Sequence, residues 1–339
     1  MLLTNKDSIV SEINKLSQAR IPFHWIINFE LNQGYITPLS ELSNTDIYCS
    51  INDMEYGTKT TISQADIANI YSQKTPSAIK LNIEPLALAT YKKGFDNVIS
   101  NIQNGNSYLL NLTFPTPIGS DLSLEAIYSA ATAKYKGMIK DKFVFYSPEP
   151  FIKIENNKIY SFPMKGTIDA NIPNAAQVLI NNKKELYEHY TIVDLIRNDL
   201  SIVSSNIQVE TFRYIEKIYT SHGPILQTSS KISGNMNSNW QQHLGDILLS
   251  LLPAGSISGA PKEKTVEIIN SSEIDSRGYY TGTMGIYDGQ TVDSCVIIRY
   301  IEKSPNGKYL YRSGGGITSK SNLEEEYNEL IEKIYVPTI

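Results

Sequence analysis

Short strand-like segments follow one another with only a few turn residues between them along much of this chain. This spacing constrains the fold, because parallel neighbours need a long crossover connection whereas antiparallel neighbours need only a tight turn. We therefore predict an α+β fold with antiparallel sheets flanked by helices, in preference to a doubly wound parallel sheet. The segments behind this prediction are FVFYSP, PFIKIEN, KIYSF, GYYTGTMGIYD, TVDSCVIIRYIEK and KYLYRSGG.

A change of pattern near residue 90 suggests how the chain is organised. The earlier residues read as strand-like pieces such as FHWIINFE and DIYCSIN between polar turns, and they end in a linker-like stretch at 72–87. From Tyr91 to Gly105 apolar residues recur at helical spacing. We predict a strand-rich portion, 1–90, packed on the same domain as a catalytic portion, 91–339. Further helices are predicted at 183–199, 241–252, 260–271 and 322–335.

Composition excludes several classes of partner. The formal net charge of -5 and the absence of a Lys/Arg-rich block argue against nucleic acid. No apolar run approaches the length of a membrane span, so we expect no membrane association. The two cysteines are far apart and form no CxxC pattern, which favours neither a disulfide framework nor a thiolate metal site. We therefore expect a cytoplasmic protein that acts on a small molecule.

Two predicted helices each carry a pair of glutamates at i, i+3 spacing. Glu185 and Glu188 share one helical face, and Glu326 and Glu329 repeat the arrangement. Ordinary explanations exist: acids in a first turn favour the helix dipole, and Ser321 with Glu324 has the spacing of a capping box. The alternative is Mg²⁺, which takes one or two protein carboxylates together with waters and the oxygens of an anionic substrate.

Several motifs, in order along the chain, resemble those of the chorismate-utilising enzymes, a family that includes anthranilate, isochorismate and aminodeoxychorismate synthases. The similarity runs from about Tyr91 to Lys333 and implies a sandwich of two large antiparallel sheets with flanking helices. The matching stretches are SYLLNLTF, EHYTIVDLIRNDL, SHGPIL, LLPAGSISGAPKEKTVEII, SRGYYTGTMGIYDG, CVIIRY and SGGGITSKSNLEEEYNELIEK.

Within that family the segment SFPMKGTIDA discriminates between reactions. Lys165 occupies a position that is typically lysine in aminodeoxychorismate synthases and usually alanine in anthranilate synthases. The resemblance implies that Lys165 attacks C2 of chorismate and that ammonia then enters at C4 and expels it. Glu149, in YSPEPF, matches an acid that protonates the departing hydroxyl, although alone it would be taken for a surface acid. His222 matches a histidine near the reacting ring, but a satisfied core histidine is an equally ordinary explanation.

The resemblance also assigns residues to the metal and to the two carboxylates of chorismate. Mg²⁺ on Glu188 and Glu329 would bind the ring carboxylate, with Glu185 and Glu326 holding metal-bound water. Each remaining position also has an ordinary explanation, such as a turn glycine, a packed hydroxyl or a surface ion pair. These positions are Tyr280 and Arg299 for the enolpyruvyl carboxylate, Gly166, Thr167, Gly314 and Gly316 for close backbone contacts, Lys333 for charge, and Ser256 by motif.

No Cys-His amidotransferase constellation is present, so the ammonia is expected to come from solution or from a separate glutaminase subunit. Anthranilate synthase and isochorismate synthase are the alternative enzymes. The position of Lys165 disfavours both, and the N-terminal portion shows no LLES-type tryptophan motif. A regulatory subunit that binds its ligand without turnover is the non-enzymatic alternative, which the retention of Lys165, Glu149 and both acidic pairs disfavours.

Overall fold

A computed structural model describes residues 1–57, 79–220 and 223–338. Within these ranges all strand pairs are antiparallel and form one ten-stranded and one nine-stranded sheet, which confirms the predicted fold class. The first sheet contains, in spatial order, β1 (Leu2–Leu3), β3 (Gly34–Pro38), β2 (Phe23–Ile27), β16 (Thr283–Tyr287), β17 (Val292–Val296), β10 (Pro150–Glu155), β11 (Lys158–Ser161), β14 (Gly223–Asn235) and β12 (Met164–Asp169), with β13 (Ser205–Thr220) also paired to β14.

The second sheet receives strands from both portions of the chain. Its order is β15 (Gly259–Ala260), β7 (Leu109–Gly119), β19 (Tyr309–Thr318), β18 (Tyr300–Lys303), β9 (Phe143–Ser147), β8 (Tyr135–Ile139), β4 (Ile47–Ile51) and β5 (Met54–Tyr56), with β6 (Asn82–Ile83) also paired to β7. Strands from before residue 90 therefore lie in both sheets, β2 beside β16 and β4 beside β8.

The five helices predicted after residue 90 are present, with small shifts of their ends, whereas the short helices Leu124–Ala130, Ala175–Asn181 and Gly255–Ser258 were not predicted. The described α-helices are α1 (Lys6–Gln18), α2 (Leu88–Gln103), α3 (Leu124–Ala130), α4 (Ala175–Asn181), α5 (Lys183–Val203), α6 (Leu244–Leu251), α7 (Gly255–Ser258), α8 (Lys262–Ser272) and α9 (Leu323–Glu332). The helix predicted at 241–252 is a short 3₁₀ turn, Trp240–His243, followed by α6. None of these helices combines the length and apolar character that a membrane span requires.

Helix α1 corrects the expectation that the first ninety residues contain only strands and turns. The side chain of Asn5 caps the helix by accepting a hydrogen bond from the Ser8 N–H at 2.8 Å. Ile9, Ile13 and Leu16 recur at helical spacing and are buried in the main core cluster. The Asn5 cap and the helical spacing of these apolar residues indicate the helix in the sequence, although strand-like segments follow directly after it.

Two strand predictions also need correction. The long β13–β14 hairpin was not predicted, because many of its residues are polar and exposed. TVDSCVIIRYIEK was predicted as one strand, but it forms β17 in the first sheet and β18 in the second. The chain crosses between the sheets at 297–299, where Arg299 has a φ of +54°. That crossing places Arg299 between the two sheets.

The sheets face each other across an apolar layer. Ile26, Met284 and Cys295 from the first sheet belong to the same buried cluster as Tyr135 and Phe145 from the second. Burial of each large apolar side chain contributes roughly 1.5–3 kcal/mol, so this layer fixes the relative position of the sheets. Residues at its border are therefore held on a rigid scaffold.

Stability should fall with acid because of His24 on β2. The side chain is fully buried, and neither ring nitrogen has a hydrogen-bond partner among the described residues. Burial, together with the charge of the N-terminus, lowers its pKa to about 3. The unfolded chain binds a proton at His24 near pH 6.5, whereas the folded chain binds it only near pH 3. The contribution of neutral His24 to the free energy of unfolding is therefore complete above pH 6.5. As the pH falls towards 3, the free energy of unfolding decreases by up to about 1.4 kcal/mol per pH unit.

Urea unfolding between pH 4 and pH 7 measures this effect. We expect His24→Leu to flatten the pH dependence of the unfolding free energy, whereas the matched variant of an exposed histidine, His243→Gln, should keep the parental slope. Equal slopes for His24→Leu and the parent would show that His24 is not the titrating group.

Candidate active site

Lys165 lies on an irregular stretch of β12. The pairing of β12 with β14 shifts register between Met164 and Thr167. Gly166, within the shift, has a φ of +82°, and a Cβ there would lie 2.8 Å from Oε2 of Glu185. Glycine therefore permits both the bulge and the close approach of α5. The bulge presents Lys165 at the border between sheet and helix.

Lys165 has neighbours on both sheets and on two helices. Its Nζ lies 3.8 Å from the position that a Cβ would take at Gly316 of β19. Its charge interacts with Glu149 beside β10, Glu185 of α5 and Glu329 of α9. Candidate residues that are far apart in sequence are thus brought around one lysine.

Glu149 lies in the turn between β9 and β10, within reach of a hydroxyl donor. Ser256 donates a hydrogen bond to its Oε1 at 2.5 Å. Burial raises the pKa of Glu149, while the Ser256 hydrogen bond and the charges of Lys165, Arg299 and Lys333 oppose the rise. A carboxyl group whose pKa is raised towards neutrality suits general acid catalysis.

Behind Ser256 lies a buried ion pair that the sequence analysis did not single out. Asp199 of α5 lies 3.3 Å from Nζ of Lys262. A Cβ at Gly255 would lie 2.6 Å from Oδ2 of Asp199, so glycine is needed there. The stretches IRNDL and GAPK contain the pair, but nothing in their spacing indicates that the two would meet. Together these residues hold the short helix α7 that carries Ser256.

Two cations lie beside Glu149. Lys333 donates a hydrogen bond to the Gly314 carbonyl at 2.8 Å and lies 2.5 Å from Oε1 of Glu329. The guanidinium of Arg299 lies over the Tyr335 ring, 5.2 Å from its centroid. Nε of Arg299 is buried without a hydrogen-bond partner among the described residues. The pair can bind an anionic group between the sheets.

The two acidic pairs flank the same lysines. Burial raises the pKa of Glu185, and the charge of Glu188 raises it further; Lys165 and Lys184 oppose the rise. The pKa of Glu329 is lowered although burial alone would raise it, because Lys333 is adjacent and the same two lysines contribute. Glu185 and Glu329, one from each pair, therefore lie within electrostatic reach of Lys165 and Lys184.

Glu326 completes the second pair. It accepts a hydrogen bond from the Ser321 hydroxyl at 2.7 Å. Burial raises its pKa, Ser321 opposes the rise, and the charge of Glu329 adds to it. The capping box predicted for Ser321 and Glu324 is wrong, since the side chain of Asn322 caps α9.

The acidic pairs have the donor type that a hard cation requires. In the part of the chain that the structure describes, no three His, Cys, Asp or Glu side chains are arranged to hold a metal ion. Mg²⁺ commonly takes only one or two carboxylates from a protein, and waters or substrate oxygens supply the rest. Partly buried carboxylates with like-charged neighbours fit such a cation.

The other predicted residues have different surroundings. Tyr280 is buried near Tyr300, and burial raises its pKa to about 12. Thr167 is exposed on β12. A Cβ at Gly314 would lie 2.2 Å from the Leu112 carbonyl, so glycine is needed where β19 meets β7. His222 lies outside the described residues.

Comparison with known proteins identifies relatives of the whole chain. The family model described as chorismate binding enzyme matches residues 28–338. An uncharacterized PabA-like protein of Pasteurella multocida is 47% identical over 330 residues, covering 97% of this chain and 98% of that protein. Aminodeoxychorismate synthase component 1 of Salmonella typhimurium is 30% identical over 260 residues, covering 72% of this chain and 56% of that protein.

A solved structure shows the same fold at low sequence identity. It is described as a putative 2,3-dihydroxybenzoate-specific isochorismate synthase of Bacillus anthracis and aligns with a TM-score of 0.70. The identity is 17%, and the alignment covers 98% of this chain and 88% of that one. This likeness supports the two-sheet architecture.

Proposed function

This chain belongs to the chorismate binding enzyme family, and on that premise we propose that it is an aminodeoxychorismate synthase component I. It is a chorismate-utilising enzyme, and the proposal concerns which reaction it catalyses. The observation that carries it is the position of Lys165, beside Gly316 and within electrostatic reach of Glu149, Glu185 and Glu329. The Salmonella relative with that activity adds support.

In the proposed reaction Lys165 is the first nucleophile. Its neutral amine attacks C2 of chorismate, both conjugated ring double bonds shift, and the 4-hydroxyl leaves as water with the proton of Glu149. Ammonia then attacks C4, both double bonds shift back, and the C2–N bond to Lys165 breaks. The proton released by the incoming nitrogen returns to Glu149. The product is 4-amino-4-deoxychorismate, and the enzyme recovers its starting protonation.

Chorismate carries two carboxylates, and the cations of the site can bind them. Arg299, with its unpartnered Nε, is suited to the enolpyruvyl carboxylate. Mg²⁺ held by Glu188 and Glu329, with Glu185 and Glu326 on its waters, would neutralise the ring carboxylate. Lys333 and Lys165 also interact electrostatically with Glu329.

Metal removal should abolish turnover and leave the fold intact. We expect Glu188→Ala and Glu329→Ala to lose Mg²⁺ binding in titration calorimetry. Glu188→Ala should unfold at or slightly above the parental temperature, because repulsion with Glu185 is relieved, and Glu329→Ala should unfold slightly below it, because the ion pair with Lys333 is lost. Glu325→Gln, on the exposed face of α9, is the matched control and should bind Mg²⁺ normally. Full turnover of metal-free protein in EDTA would contradict the assignment.

Ammonia is proposed to come from solution or from a separate glutaminase subunit. Glutamine hydrolysis by a thiol needs a reactive thiolate. The chain has two cysteines, Cys49 and Cys295, and both are buried. Burial raises the pKa of each thiol well above its usual value. Neither cysteine is suited to attack glutamine.

Product identification tests the reaction directly. Purified protein is incubated with chorismate, Mg²⁺ and either ammonium chloride at raised pH or glutamine, and the products are separated and identified by mass spectrometry. We expect 4-amino-4-deoxychorismate with ammonium and none with glutamine alone. Anthranilate or isochorismate would identify one of the alternative enzymes. Binding of chorismate without turnover would favour the regulatory subunit, and equal rates with glutamine would overturn the need for a partner.

A further inference from the structure

A groove of about 680 Å³ opens beside the candidate site. Its lining includes the turn at Asn52 and Asp53, the segment 132–134 and residues of β13. Its size is in the range of pockets that hold small molecules. Neither Lys165 nor Glu149 lines it, so it is a space additional to the site described above.

The groove meets that site at Arg299. Arg299 lines it, and the charge of Arg299 also acts on Glu149 and Lys333. Two further lining residues, Pro148 and Met164, are the chain neighbours of Glu149 and Lys165. A molecule in the groove would therefore reach the reacting groups through Arg299.

Two buried polar atoms of the lining residues point to a ligand. Tyr146 has an exposed fraction of 0%, and its hydroxyl has no hydrogen-bond partner among the described residues. Nε of Arg299 is likewise unpartnered there. The backbone N–H of Tyr146 donates to the Arg299 carbonyl, so the two residues are fixed side by side. Buried tyrosine hydroxyls usually find a partner, and each of these two donors is suited to an anionic oxygen.

The walls suit a ring that carries carboxylates. Phe162, Tyr214 and Tyr335 supply aromatic surface. Four lining side chains are basic and two are acidic, in a chain whose net charge is -5. One acid, Glu216, already accepts a hydrogen bond from the Ser229 hydroxyl. The groove is thus locally positive.

Lys134 and Lys153 are two of the four basic side chains that line the groove. Lys134 is exposed. Lys153 lies 2.7 Å from Oδ2 of Asp293, which also accepts hydrogen bonds from Tyr135 and Asn52. An ammonium group has three donors, so Lys153 retains capacity for a second carboxylate.

We infer that this groove binds cyclic carboxylates and is the route by which the substrate reaches Arg299, with Lys134 and Lys153 attracting the dianion. The inference relies on the proposed function for the identity of that substrate. A positive groove raises the local concentration of an anion and its association rate, and added salt screens the effect.

The binding test uses isophthalate, an unreactive benzene ring with two carboxylates. We expect calorimetry to show at least tenfold weaker binding for the Lys134→Gln/Lys153→Gln double variant. Thr132→Trp, which narrows the groove without changing charge, should have the same effect. Lys158→Gln, which removes a lysine outside the groove, is the matched control, and thermal unfolding verifies each fold. Parental affinity in both groove variants would overturn the inference.

Kinetics then separates a route from an independent ligand site. If the groove is the route, isophthalate competes with chorismate, and the double lysine variant lowers kcat/KM with kcat retained and a weaker salt dependence. Noncompetitive inhibition would overturn the route. Isophthalate binding needs no turnover. It therefore tests ligand binding in the groove separately from whether 4-amino-4-deoxychorismate is made.

Discussion

Lys165→Ala is expected to lose the covalent adduct and to make 4-amino-4-deoxychorismate at least about 10³-fold more slowly, which corresponds to about 4 kcal/mol of transition-state stabilisation. Chorismate and Mg²⁺ should still bind, because Arg299, Lys333 and the glutamates remain. Without the lysine, C2 is open to an external nucleophile, so any residual amination should shift towards the 2-amino product.

Intact-protein mass spectrometry after rapid quenching measures the adduct, which is an amine and is not trapped by borohydride. Lys184→Ala is the matched control, since this exposed lysine interacts with both acidic pairs and has no proposed part in bond formation. Parental formation of the 4-amino product by Lys165→Ala would exclude Lys165 as the obligatory nucleophile.

The sequence predicts the architecture because its strand signals are local. Apolar runs separated by short turns require antiparallel pairing of the consecutive strands that the turns join. The wrong strand predictions occur where packing between distant segments determines the structure. The β13–β14 hairpin has mixed polarity along an exposed sheet edge, and TVDSCVIIRYIEK reads as one strand because a change of sheet leaves no mark in the pattern.

The candidate site was predicted differently. Spacing alone indicates two acidic pairs, but only the resemblance selects Lys165, Glu149 and Arg299. What brings them together is long-range: β12, the turn at Glu149, α5 and α9 are separated by up to about 180 residues of chain. The support of Ser256 by Asp199 and Lys262 could not be predicted, because an ion pair between distant segments has no local signal.

Glu149→Gln should lower kcat by about 10²–10⁴-fold, because the amide keeps the shape of the acid and cannot donate its proton to the leaving hydroxyl. In the parent, Glu149 acts when protonated, so kcat should be high below its pKa and fall as the pH rises through it. Burial raises that pKa, which extends the active range towards neutral pH. The basic limb should be missing from the pH profile of Glu149→Gln.

Ser256→Ala provides a second test of Glu149, because it predicts the direction in which the pKa of Glu149 shifts. Its hydrogen bond to Glu149 favours the ionised carboxylate and so lowers the pKa. In Ser256→Ala the pKa of Glu149 should rise, and the basic limb of kcat should move to higher pH. Ser258→Ala is the matched control, because this buried hydroxyl donates to the Ala254 carbonyl on the same short helix. If the basic limb of kcat stays in place in Ser256→Ala or persists in Glu149→Gln, the proton donor is another residue.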